Sequence, residues 1–337
     1  MNYRLFGNSG LRVSEICLGT MGFGTEWGWG ADYDTSKKIF DEYAQAGGNF
    51  LDTANRYTDG TSEKYVGDFI KYDRDHFVVA TKYTLYDKHD LNYCGNHRKN
   101  MFRSVNESLK RLQTEYIDLL WLHAWDFTTP VDEIMRGLDD LVRMGKVHYI
   151  GISDTPAWIV AQANTIAQLR GWTAFVGLQI EYSLIQRTAE RDLLPMAKAF
   201  GMTVTPWGAL GGGVLSGKYL KQEKGRLKES SPRLQNPRNA EIASVVVDIS
   251  MQHNVKPIQI ALAWILKKHD NIIPIVGASK PGQVTDSIRS LDIELSENDI
   301  ARLDECSKTD LGFPHEFLNA STTQDVMFGT MQNLLKR

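Results

Sequence analysis

Eight short apolar runs recur along the chain, spaced widely enough for a helix between most of them, and this alternation constrains the fold more than any other feature. The runs are Val13–Leu18 before Gly19, Asn49–Leu51 before Asp52, Phe77–Thr81 before Lys82 and Ile117–Leu122 before His123. They continue with Tyr149–Ile152 ending at Ser153, Val176–Leu178 ending at Gln179, Met202–Thr205 running to Trp207, and Ile272–Val276 ending at Gly277. Apolar runs bounded by helical stretches read as buried parallel strands. Eight of them in series predict an α/β fold, the (β/α)8 TIM barrel.

The intervening segments agree. Thr35–Ala46 places Ile39, Phe40, Tyr43 and Ala44 at helical spacing, begins near the cap candidate Asp34 and stops at Gly47-Gly48. Ser62–Tyr72, Lys99–Leu112, Val131–Met144, Ala157–Arg170 and Glu190–Phe200 show the same period. Ala240–His253 and Pro257–His269 both fall between the seventh and eighth strands, so one is an extra helix before strand 8. The opening Tyr3–Phe6, Asn8-Ser9-Gly10 and Leu11–Val13 predict an N-terminal hairpin that plugs the barrel floor. Residues 1–337 are expected to form one barrel domain, with the charged, Pro- and Ser-containing stretch Lys221–Asn239 as a βα loop over a ligand.

Composition narrows the partners. A net charge of −3 with 23% charged residues leaves no basic footprint for nucleic acid. No run is long enough to span a bilayer, and the N-terminus has no signal-peptide pattern, so a cytoplasmic protein is expected, with no membrane partner. Cys17, Cys94 and Cys306 form no disulfide framework. His89, Cys94 and His97 share a loop at irregular spacing, and no metal site is expected of them. Glycine clusters fail the dinucleotide fingerprint, since Trp27 follows Gly22-Phe23-Gly24 and Ser216 follows Gly211-Gly212-Gly213 at the third glycine position. A bound dinucleotide must be held by the barrel itself.

The strand ends carry the chemistry. In barrels of this kind reactive groups sit at the C-terminal ends of the strands, and Asp52, Lys82 and His123 fall at three consecutive ends, with Tyr57 in the loop after the first. Singly, each has an ordinary reading: a rim ion pair, a packed phenol, a satisfied imidazole. Jointly, they are a proton-donating set for a carbonyl oxygen. An isolated phenol, with a pKa of about 10, is a slow acid near neutrality. An ammonium about 4 Å away is worth about 4 kcal/mol at an effective dielectric of about 20, enough to lower that pKa before burial is counted against it. Asp52 is expected to keep Lys82 charged, and His123 to hydrogen-bond the substrate oxygen.

Longer motifs surround this set: Gly19-Thr20-Met21-Gly22, Gly47 to Ala54, Ser62-Glu63, Ser108 to Leu112, Tyr116-Ile117-Asp118, Gly145-Lys146-Val147, Gly151 to Asp154, Gln179 to Ser183, Gly217-Lys218-Tyr219 and Gly277-Ala278-Ser279. With Tyr57, Lys82 and His123 they resemble the aldo-keto reductase family along nearly the whole chain. Asn49 to Tyr57, Gly95 to Lys99 and Ser153 to Trp158 resemble its aryl-alcohol dehydrogenase-like branch. The resemblance implies an NADP-dependent oxidoreductase, with NAD as a competitor, that reduces aldehydes or ketones to alcohols reversibly, with Tyr57 as proton donor. Aromatic or small carbonyls are the implied substrates.

The same resemblance assigns cofactor contacts to Gly19, Thr20, Met21, Asp52, Ser153, Asp154 and Gln179. Ser153, Asp154 and Gln179 meet the nicotinamide carboxamide, and Trp207 stacks on the ring. Gly208, Ala209, Leu210, Gly211, Gly212 and Lys218 form a pyrophosphate strap, and Gly277, Ala278, Ser279, Lys280, Gln283, Asp286 and Ser287 an adenosine-phosphate site. Gln283 stands where some branches carry an arginine for the 2′-phosphate, which keeps NAD in contention. Trp27, Tyr57, Tyr86, His123 and Trp125 are expected to line the substrate pocket, joined by Met21, Trp29, Phe127, Phe313, Phe317 and Phe328. Some proteins resembling this family are instead cofactor-bound regulatory or redox-sensing subunits with weak catalysis, bound to a membrane channel; with the barrel pattern beginning at Tyr3, that role is the alternative expectation rather than the first.

Overall fold

The computed structural model describes residues 1–269, 271–329 and 331–335. A two-stranded antiparallel hairpin, β1 (Tyr3–Leu5) and β2 (Arg12–Ser14), precedes eight parallel strands: β3 (Cys17–Gly19), β4 (Phe50–Asp52), β5 (Val78–Tyr83), β6 (Ile117–Leu122), β7 (Val147–Ser153), β8 (Gly177–Glu181), β9 (Thr203–Trp207) and β10 (Ile275–Gly277). Neighbours follow the order β10-β3-β4-β5-β6-β7-β8-β9. The ring closes where Val204 N donates to Asn271 O and Val204 O accepts from Ile273 N, both at 2.9 Å. This is the (β/α)8 barrel that the alternating runs predict.

Helices α1 (Tyr33–Gln45), α2 (Thr61–Ile70), α3 (Arg98–Leu112), α4 (Val131–Arg143), α5 (Ala157–Arg170) and α6 (Leu193–Ala199) follow β3 to β8 in turn. Between β9 and β10 lie α7 (Pro232–Gln235), α8 (Pro237–Gln252) and α9 (Pro257–Lys268); α10 (Gln283–Ile288), α11 (Glu297–Cys306), α12 (His315–Asn319) and α13 (Ser321–Phe328) complete the chain. No helix among the described residues is long and apolar enough to cross a membrane.

Side chains alternate across each strand, and this alternation sorts the core into two sets. One points outward to the helices, as Leu51, Val79, Leu120 and Ile150 do. The other fills the barrel: Cys17, Phe50, Val78, Ala80, Leu119, Trp121 and Ile273 pack around Phe6 of the hairpin turn. Phe6 lies edge-on to Phe50 at 5.5 Å and to Trp121 at 6.3 Å, and Gly7 N donates to Thr203 Oγ1 at 2.6 Å. The hairpin therefore plugs the floor with an aromatic ring. Phe6→Ala is expected to cost about 3–5 kcal/mol in urea unfolding; a loss below about 1 kcal/mol would show that the floor closes without that ring.

Four expectations need correction. The run Val13–Leu18 is not one strand: β2 ends at Ser14 and β3 begins at Cys17. The chain bends between them because side chains take its polar groups, Asn49 Oδ1 accepting from Ser14 N at 2.8 Å and Ile16 O accepting from Tyr43 Oη at 2.7 Å. The cap of α1 is Asp32, not Asp34; Asp32 is extended and Oδ1 accepts from Thr35 N at 2.9 Å, leaving Asp34 inside the first turn. Glu190–Phe200 is not a continuous helix. Pro195 has no N–H to donate and so fits only a first turn, which places the start of α6 at Leu193. Lys82 lies within β5 rather than beyond it.

Candidate active site

Continuing the inward alternation one layer above the floor gives Asp52 after Phe50, Lys82 after Ala80, His123 after Trp121, Ser153 after Gly151, Gln179 after Gly177 and Thr205 after Thr203. The barrel thus gathers, at one mouth, polar groups far apart in sequence. Lys82 and Asp52 form a fully buried ion pair, with Nζ 2.5 Å from Oδ2 and their side chains 0% and 3% exposed. Lys82 Nζ also donates to Thr53 O at 2.8 Å, and Asp52 Oδ1 accepts from Gln179 Nε2 at 3.0 Å. Burial opposes the ammonium charge, but Asp52 and Tyr57 outweigh it and hold Lys82 above its ordinary pKa.

Tyr57 reaches this pair through a tight turn. Tyr57 N donates to Ala54 O at 3.1 Å, and the next residues enter left-handed backbone, with φ of 45° at Thr58 and 53° at Asp59. For a β-branched threonine that conformation is strained. It is tied down by Thr58 Oγ1, which donates to Phe23 O at 2.6 Å and accepts from Ser62 N at 3.1 Å. The Tyr57 ring consequently lies over Lys82, whose Nζ is 4.7 Å from its centroid. Burial raises the phenol pKa; the Lys82 charge offsets that rise only in part, and Asp52 adds to it. The lowering by Lys82 expected from the sequence is present, and the burial left to be counted against it is the larger effect.

His123 stands edge-on to Tyr57, with ring centroids 6.1 Å apart. Burial, with help from the Lys82 charge, lowers its pKa to about 3, so the imidazole is neutral at physiological pH. Its Nδ1 is buried without a hydrogen-bond partner among the described residues, as are Ser153 Oγ and Thr205 Oγ1. Three unpartnered polar atoms around one mouth are what a site for a polar ligand presents.

On the far side of the mouth Trp207 Nε1 donates to Asp154 Oδ1 at 3.1 Å, and Asp154 N donates to Gln179 O. Thr20 is buried, with Oγ1 3.1 Å from Asp52 O and 2.8 Å from Ser62 Oγ; Gly19 packs against Ile275 and Met21 is half-buried. Gly208 to Leu215 leaves β9 as a strap in which Gly211, Gly212 and Gly213 all take positive φ, which glycine alone adopts without strain. Lys218 lies against it, since a Cβ at Gly213 would stand 3.1 Å from Nζ. Ala209 is buried in the core between barrel and helices, and Leu210 packs against it.

At the other end, past Gly277 and Ala278, Gln283 Oε1 accepts from Ser279 N at 2.8 Å and Lys280 N at 3.2 Å. Asp286 pairs with Lys256 at 2.5 Å, and the buried Ser287 donates back to Gln283 O at 3.0 Å. The side chains of Asp286 and Ser287 are therefore already engaged within the protein.

Of the residues expected to line the substrate pocket, Trp27 lies edge-on to Tyr57 at 6.5 Å and next to Trp29 at 5.8 Å. The Arg56 guanidinium lies between Trp27 and Tyr86, 5.8 and 4.8 Å from their rings. Trp125 packs on the core, while Phe313 and Phe317 tilt onto each other, 75% and 58% exposed. A cavity of about 660 Å³ opens beside Asp154 and Glu181, with Phe127 and Arg191 in its lining.

Sequence reasoning missed Thr205 and Glu181, both placed inward by the period of two. It also missed Arg233 on α7, which pairs with Glu181 and ties the Lys221–Asn239 segment to the mouth.

Residues 15–308 match the family model described as the Aldo/keto reductase family. A norsolorinic acid reductase of Aspergillus flavus is 40% identical over 95% of this chain and 84% of its own length. An aryl-alcohol dehydrogenase of Pestalotiopsis microspora is 37% identical over 92% of this chain and 83% of its own. An aryl-alcohol dehydrogenase [NADP(+)] of Phanerodontia chrysosporium is 37% identical over 91% of this chain and 86% of its own. With the barrel and the clustered Asp52, Tyr57, Lys82 and His123 already in place, these matches establish that the chain belongs to the aldo/keto reductase family, in agreement with its aryl-alcohol dehydrogenase-like branch.

Proposed function

We propose that this protein is a nicotinamide-dependent reductase of aldehydes or ketones, aromatic ones above all, in which Tyr57 donates the proton. The observation that carries the reading is the Lys82 ammonium held between the Asp52 carboxylate and the Tyr57 ring at the barrel mouth. A relative named for NADP(+) favours that cofactor, with NAD as the competitor. The residues suit it: Ser153 Oγ has a free hydrogen-bonding capacity facing the mouth, Trp207 offers a flat ring, and the glycine strap brings backbone close to a phosphate.

When bound, the nicotinamide supplies the hydride for the carbonyl carbon. This chain's residues manage the oxygen. A neutral His123 orients it by a hydrogen bond without protonating it, and Tyr57, kept protonated by burial, transfers its proton as negative charge develops. Lys82 stabilises the phenolate left behind, and Asp52 keeps Lys82 charged and aimed. Trp27 walls the side next to Tyr57, where an aromatic substrate ring gains stacking area.

The raised phenol pKa fixes the sign of the pH dependence. Reduction needs the protonated form, so kcat/KM for an aldehyde should stay level through neutral pH and fall only on the alkaline side. Oxidation of the alcohol needs the phenolate and should climb with pH over the same range. A reduction rate already falling between pH 6 and 8, as ordinary histidine titration would give (about 6.5), would contradict Tyr57 as the donor. Initial rates in both directions across pH, with NADPH and NADP+, make the comparison.

A further inference from the structure

We propose that Asp154 is a positioning residue: its carboxylate clamps the Trp207 indole against the nicotinamide face of the cofactor site. The proposal deepens the cofactor reading above and rests on it. Trp207 is the last residue of β9 and only half-buried, so packing alone leaves its ring free to tilt. Its indole N–H has one partner, Asp154 Oδ1 at 3.1 Å, on a segment 53 residues away.

The backbone of Asp154 is built to deliver that carboxylate. Strand alternation puts Ser153 inward and would send residue 154 away from the barrel interior. Instead Asp154 takes a φ of 40°, a left-handed conformation that costs a non-glycine residue and persists only where its surroundings enforce it. Its N–H donates to Gln179 O at 3.3 Å and its carbonyl accepts from Trp125 N at 3.4 Å. Both groups flanking the side chain are therefore fixed, to neighbouring strand ends on either side. Desolvation by its neighbours raises the Asp154 carboxyl pKa and the charge-assisted Trp207 hydrogen bond pulls it back, at a rim still open to solvent.

A carboxylate accepts only, so the indole N–H is a donor it can hold, and that one bond sets the angle of the stacking ring.

The test is a double-variant cycle with Asp154→Ala and Trp207→Phe, reading NADP+ dissociation constants by calorimetry and near-UV circular dichroism of the free protein. Asp154→Ala is expected to weaken NADP+ binding about tenfold in the wild-type background, and about twofold or less once Trp207 is Phe. The aromatic circular dichroism should change on Asp154→Ala and not in the Trp207→Phe background. Asp154→Asn, which keeps an acceptor oxygen, should restore most of the affinity. Losses that simply multiply, or an indole signal indifferent to Asp154→Ala, would overturn the clamp. If the wild-type protein binds neither NADP+ nor NAD+, the cofactor reading falls and the clamp with it, a result distinct from multiplied losses.

Discussion

Replacing Tyr57 by Phe is expected to lower the rate of carbonyl reduction by about 100- to 10,000-fold while leaving NADP+ affinity within about twofold of wild type, the span that loss of a general acid produces. The substitution removes one oxygen. Its ring keeps the edge-on contacts with Trp27 and His123, and the strained turn behind it is held by Thr58 rather than by the phenol. A structural tyrosine would show the reverse pattern, with stability lost and rate retained. Thermal melting of both proteins beside their kcat values separates the two.

The second large effect is expected at Lys82. Lys82→Met leaves Asp52 buried with Gln179 as its remaining side-chain partner, and an uncompensated carboxylate in such a place costs about 3–5 kcal/mol. The paired change Asp52→Leu with Lys82→Met removes both charges and should recover most of that stability, since buried ion pairs exchange for apolar pairs at little cost. Activity should not return with it, because the ammonium that stabilises the Tyr57 phenolate is still missing. If the doubly substituted protein regained both stability and turnover, the pair would be a strut of the barrel and no part of the chemistry.

Much of this site was legible in the sequence because a barrel converts strand order into spatial order. Asp52, Lys82 and His123 each follow an apolar run, and the period of two then places all three inward at the same mouth. The parts that escaped depend on burial and long-range contact. The direction of the Tyr57 pKa turns on how far the ring is desolvated, which neighbours in sequence do not reveal. The bond from Gln179 to Asp52 spans 127 residues, and that from Trp207 to Asp154 spans 53. The break between β2 and β3 depends on Asn49 and Tyr43 reaching over from other elements, while Val13 to Leu18 on its own has every mark of one strand.

The aromatic wall shows the same limit. Trp27 and Tyr86 meet around Arg56, a cation that composition alone gives no reason to place between rings. Phe313 and Phe317, equally aromatic in the sequence, remain exposed on the surface.

The central claim, hydride transfer to a carbonyl at this mouth, is tested most directly by following absorbance at the reduced-nicotinamide band while the wild-type protein meets NADPH or NADH with aromatic, aliphatic and sugar aldehydes. Oxidation of the cofactor in step with alcohol formation, fastest with an aromatic aldehyde and NADPH, is the predicted result. Tight binding of the cofactor with no oxidation by any carbonyl would contradict it and favour a cofactor-loaded regulatory protein.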